Sequence, residues 1–197
     1  MKQYPDFAAV QSREAWEFSQ NERTLLLRLA HGSIVSALEK REIPLDPPSA
    51  HVAEPRGIFT SLYLRGELRG CVGYVLPKES VWRAVAETAR AAAFEDTRFS
   101  PVTLAEAQAL EIELSILSPP QLISADLIEI GRHGLLITMG AHRGLLLPQV
   151  PVEHHWDRVT FLEHTCRKTG LPFDAWKNGA RIEAFTAEVF GDLSAKA

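Results

Sequence analysis

Cysteine is scarce in this chain: 197 residues contain two, at positions 71 and 166. Two thiols in a chain of this length do not build a disulfide framework, so reduced cysteines in a cytoplasmic setting are the expectation. Long apolar runs are missing as well. No stretch approaches the roughly 20 apolar residues that span a bilayer, so no membrane segment is expected. The amino-terminal MKQYPDFAAVQSREAWEF lacks the apolar run of a signal peptide. Positive charge is not in excess: a net charge of −4 gives no electrostatic reason to expect nucleic acid or an anionic membrane as partner. There is no GxGxxG, no Walker lysine motif, no HExxH and no CxxxCxxC run. These absences give no reason to expect a nucleotide, zinc-hydrolase or iron–sulfur cluster site of those kinds, and no cofactor is expected.

What is present is a core-forming composition, 46% hydrophobic, ample for one domain of this size. Ser19 and Glu22 have capping-box spacing, and the apolar period from Leu25 to Leu38 predicts a helix over about 20–40. The segment 41–57 holds four prolines and reads as an irregular connection. GIFTSLYL and LRGCVGYVL, joined by Arg65-Gly66-Glu67, predict a hairpin with Cys71 on its second strand. Helical spacing returns from about Glu79, and Thr103 and Glu106 repeat the capping box for a shorter helix. EIELSI alternates as a strand with one wet face. LLITMG and GLLLPQV predict a second hairpin, Asp157 an N-cap for a helix that Gly170 ends, and RIEAFTAEVF a last strand. The expectation is α+β, with a mainly antiparallel sheet flanked by helices.

Several of these stretches carry a resemblance. LRGCVGYVLP, AAAFEDTRFSPVTLAEAQALEIELSILSPP, GRHGLLI, RGLLLPQVPVEHHWD and FLEHTCRKTGLPFDAWK together resemble the AMMECR family, whose prokaryotic members are called AmmeMemoRadiSam system protein A. The likeness covers about 57–190, with the helix near 20–40 packing on it as part of one domain over 1–197. Val72 stands where isoleucine is common, and Tyr74 where a small polar residue is common. The resemblance implies larger and smaller subdomains and a genomic setting beside a Memo-like protein and a radical S-adenosylmethionine protein. It implies no settled activity.

Candidate site residues centre on Cys71. A nearby cation lowers a thiol's pKa, and Arg69, two residues away in a strand, is placed to share its face. Gly70 and Gly73 admit a ligand or another backbone at close range. Thiol chemistry normally needs a base, and His133, flanked by Gly131 and Gly134 inside a family motif, is the candidate. Arg98, near Asp96, and Gln149 are candidate binding residues, although an Asp96–Arg98 pair that merely orients its corner is the plainer reading. Glu111 and Glu113 read as solvated and Cys166 as core. The His154-His155 pair lacks ligands at metal-binding spacing, so no metal site is expected.

Three functions compete on these grounds. The first is an accessory or partner-binding protein of a modification pathway with the Memo-like and radical components. The second is a small enzyme using Cys71, Arg69 and His133 in a cleft. The third, regulation through nucleic acid, has the acidic balance against it.

Overall fold

The computed structural model describes residues 17–192, so most of the amino-terminal stretch read for a leader lies outside the described residues. The fold is α+β, with helices and two four-stranded sheets. It divides into two compact units: the larger holds the described residues 17–117 and 188–192, the smaller 118–187.

In the larger unit, helix α1 (Gln20–Leu38) starts at the expected capping box, with Ser19 accepting from Glu22 N–H and Glu22 accepting from Ser19 N–H. Strands β1 (Ile58–Leu64) and β2 (Glu67–Tyr74) form the expected hairpin. Its turn residues Arg65 and Gly66 have φ of 55° and 80°, the positive values a two-residue turn between right-twisted strands demands. Helix α2 (Val81–Phe94), capped by Ser80, and the short α3 (Leu104–Ala107), capped by Thr103, follow as expected. Strand β3 (Leu110–Leu117) pairs antiparallel with β1. The sheet order β2-β1-β3-β8 includes a strand from the end of the chain, β8 (Ala187–Gly191).

One face of this sheet carries Ile58, Thr60, Leu62, Ile112, Leu114 and Ile116, all buried in the main core with α1 and α2. Helix α2 buries a face of small residues, among them Ala84, Ala89 and Ala92, and small side chains let a helix lie close to a sheet. Thr60 of β1 and Thr88 of α2 share a buried hydrogen bond of 2.7 Å across that contact. Asp192 closes the unit, its Oδ2 accepting from Ile112 N–H at 2.8 Å and meeting His31 Nε2 at 2.7 Å.

The smaller unit is built on strands β4 (Gln121–Leu122), β5 (Gly134–Met139), β6 (His142–Leu146) and β7 (Arg181–Phe185), in the order β4-β7-β5-β6. Helix α5 (Arg158–Lys168), N-capped by Asp157, places Phe161, Leu162 and Cys166 in one core with Leu135, Ile137 and Ile182. Gly170, at φ 80°, follows its end.

Two elements differ from the sequence-based expectation. The apolar run after β6 leaves the sheet: Gln149–Glu153 is a short helix, α4, because Pro148 and Pro151 cannot donate to a ladder but fit a first helical turn. The stretch RIEAFTAEVF is two strands separated by Thr186, β7 in one sheet and β8 in the other.

Candidate functional site

Cys71 lies on β2, an edge strand, opposite Ser61 of β1. Because that pair exchanges no backbone bonds, the N–H and C=O of Cys71 point away from the sheet, where a further strand would sit. Side chains from the corner after α2 take that strand's place. Cys71 N–H donates to Asp96 Oδ2 at 2.9 Å, and Arg98 Nη2 donates to the Cys71 carbonyl at 3.3 Å. Arg98 also donates to Asp96 through Nε at 2.9 Å and Nη2 at 2.7 Å. The Asp96 side chain is 5% exposed. Arg98, together with the Cys71 N–H, holds its carboxyl well below the usual carboxylate range. The Asp96–Arg98 pair does more than orient a corner: it seals a sheet edge at the cysteine.

Arg69 is occupied elsewhere. A register shift between Leu62 and Tyr63 puts a bulge at Arg69, which breaks the strict alternation that would set it beside Cys71. Its Nε and Nη2 donate to the two carboxylate oxygens of Glu106 at 3.1 and 3.3 Å, and its Nη1 to Ser100 O at 2.8 Å. Glu106 also accepts from Thr103 N–H in the capping box. The Arg69 guanidinium, with these capping bonds, lowers its carboxyl to about 2. Arg69 therefore fastens β2 to the start of α3.

The glycines of the motif are filled by the chain itself. A Cβ on Gly70 would sit 2.1 Å from the Ala92 carbonyl oxygen of α2, and one on Gly73 2.2 Å from the Ile58 oxygen and 2.5 Å from the Phe59 ring. They admit a helix and a neighbouring strand at close range.

Among the described residues the hydrogen-bond partner of the Cys71 sulfur is Ser61, whose hydroxyl donates at 3.3 Å. Ser61 is in turn opposite Glu113 of β3, so thiol, hydroxyl and carboxyl lie level on three successive strands. Glu113, expected to be solvated, is half-buried, and burial pushes its carboxyl up. Spacing alone did not mark Ser61 or Glu113; the strand register brings them to the thiol.

His133 belongs to the smaller unit, at the entry to β5. Its Nδ1 accepts from Glu129 N–H at 3.1 Å while its own N–H donates to Glu129 O at 3.0 Å, closing the turn. An accepting Nδ1 puts the ring proton of neutral His133 on Nε2. Gln149 opens α4, and its Oε1 is buried without a hydrogen-bond partner among the described residues. Cys166 is fully buried, and burial pushes its thiol up. No group of three or more His, Cys, Asp or Glu among the described residues is arranged to hold a metal ion, and no helix there is long and apolar enough to cross a membrane.

The AMMECR1 family model matches residues 27–190. The chain belongs to the AMMECR1 family. It is similar to Protein MK0488 of Methanopyrus kandleri, 44% identical over 86% of this chain and 87% of that one. Protein MJ0810 of Methanocaldococcus jannaschii is 42% identical over 87% and 90% of the two chains. Among solved structures, uncharacterized protein PH0010 from Pyrococcus horikoshii is 38% identical with a TM-score of 0.68, covering 85% of this chain and 89% of that one. The family match reaches upstream of the recognised motifs into α1, which packs against α2 beneath the Cys71 hairpin.

Proposed function

We propose that this AMMECR1-family protein is a non-catalytic, partner-binding component of a modification pathway, acting with a Memo-like protein and a radical S-adenosylmethionine protein. The observation that carries this reading is where apolar surface is left uncovered. Of eight large apolar side chains exposed among the described residues, six (Leu122, Leu127, Ile130, Met139, Val159 and Phe173) belong to the smaller unit. Single exposed apolar residues are ordinary, but their concentration on one unit suits a surface that partners cover. Leu122 and Leu127 lead the group, at 69% and 61% exposed.

The alternative, a small enzyme using Cys71 with Arg69 and His133, has one observation in its favour: the level row of Cys71, Ser61 and Glu113. It is the weaker reading, because Arg69 is held by Glu106 and the motif glycines are packed against the chain's own backbone. Regulation through nucleic acid is weaker still at a net charge of −4. The test is sedimentation velocity on purified proteins from the source organism, mixed at micromolar concentration. Co-sedimentation of this chain with the Memo-like or the radical protein is expected. Independent sedimentation from both would overturn the reading.

A further inference from the structure

The smaller unit holds a second feature unrelated to Cys71. Helix α4 ends at His154, and His155 takes a left-handed φ of 53°. That unusual conformation for a non-glycine residue turns the chain back on itself, and Trp156 N–H then donates to Pro151 O at 2.8 Å. The reversal brings three rings into one stack. His154 lies on Trp156 at 4.7 Å between centroids and 17° between planes, and His164 of α5 lies on Trp156 at 3.9 Å and 18°. The stack borders an open groove of about 470 Å³ with Leu146 and Val150 as its apolar lining and Arg167 and Lys168 supplying charge.

These two cations are available to a ligand. Neither forms an ion pair with a described residue, and both are exposed. A basic last turn complements a helix dipole, but three of the last four carbonyls of α5 already have backbone partners: Thr165 and Cys166 accept from Thr169 N–H, and Arg167 from Gly170 N–H. Capping therefore leaves both charged heads unspent. The Trp156 ring is covered by a histidine on each side, so it serves as a platform that holds the exposed His154 flat.

We propose that this groove binds a small aromatic anion, a planar heterocycle carrying a phosphate, with the ring stacked on His154 and the phosphate between Arg167 and Lys168. The volume lies in the range of small-molecule sites. Guanidinium and ammonium groups bind phosphate through charge-assisted hydrogen bonds, and base–aromatic stacking is sequence-tolerant and favourable.

The test is calorimetric titration of the full chain with AMP as probe, with adenosine and inorganic phosphate as separate arms. AMP is expected to bind at least about tenfold more tightly than either fragment, since each offers only half the contacts. The exposed-site double variant Arg167→Ala/Lys168→Ala should weaken AMP by about tenfold or more. His154→Ala should weaken AMP while leaving phosphate unchanged. Unaltered urea midpoints show that both variants remain folded, and Arg65→Ala in the larger unit is the control. No binding of AMP at millimolar concentration, AMP no tighter than inorganic phosphate, or AMP binding indifferent to the double variant would each overturn the assignment. Tighter binding of a single-stranded oligonucleotide than of AMP would overturn the small-molecule identity of the ligand.

Discussion

Cys71 owes its surroundings to carboxylates that attract the neighbouring arginines. Arg69 is drawn to Glu106 and Arg98 to Asp96, and the sulfur is left with a neutral hydroxyl donor. A thiol in this setting is expected to alkylate no faster than a free cysteine, and Arg69→Ala to leave that rate unchanged. Cys166, fully buried, should label only on unfolding. Timed iodoacetamide labelling read by peptide mass spectrometry checks both; fast Cys71 labelling that collapses in Arg69→Ala would contradict this account. The Arg69–Glu106 fork makes a second residue-scale prediction. The Glu106 carboxyl sits at about 2 in the fold against an ordinary 4.5. Between those values the unfolded chain takes up a proton that the native state refuses, so acid favours unfolding. The fork's stabilisation is thus complete above about pH 4.5 and lost as pH falls through 2. Glu106→Gln should cost about 1–2 kcal/mol at neutral pH. Urea midpoints of wild type and variant should converge as pH falls from 5 toward 2; a gap that stays constant over that range would be the wrong outcome.

At the scale of elements, the hairpin and α2 depend on close approach. Gly70→Ala drives a Cβ into the Ala92 carbonyl, a backbone atom that cannot swing aside, and should destabilise by about 1–3 kcal/mol. Gly32→Ala, mid-helix in α1 with nothing within 4 Å of the added carbon, should stabilise by about 0.5–1 kcal/mol. Urea unfolding of the two variants checks the pair, and similar signs for both would refute the packing argument. Elements with their own local signals were legible in the sequence. Ser19-x-x-Glu22 and Thr103-x-x-Glu106 started helices because both halves of each capping box are local, and Arg65-Gly66 turned the hairpin. The helix at 149–153 was not legible, since Leu145, Leu146 and Leu147 continue a strand-like apolar run into it. Nor was the break at Thr186, where no glycine or proline marks the passage from one sheet to the other. The site was half legible for the same reason. Its motif is contiguous, whereas Asp96 reaches Cys71 across 25 residues and Glu113 arrives only through strand register.

The whole molecule pairs a larger unit, whose motif residues are bound up in holding a sheet edge and a helix in place, with a smaller unit that carries most of the exposed apolar side chains. On the proposed reading, the smaller unit's exposed apolar side chains are where a partner binds. Exposed leucines can be replaced with little effect on folding, which makes the surface testable apart from the thiol. The decisive measurement is the equilibrium dissociation constant for whichever protein, Memo-like or radical, co-sediments with this chain. It should be determined for wild type, for Leu122→Glu/Leu127→Glu and for Cys71→Ser. The double variant is expected to bind about tenfold more weakly or worse, as losing an apolar contact centre does, while Cys71→Ser binds like wild type. Full affinity in the double variant with loss in Cys71→Ser would contradict the account and return the cysteine to the centre of function.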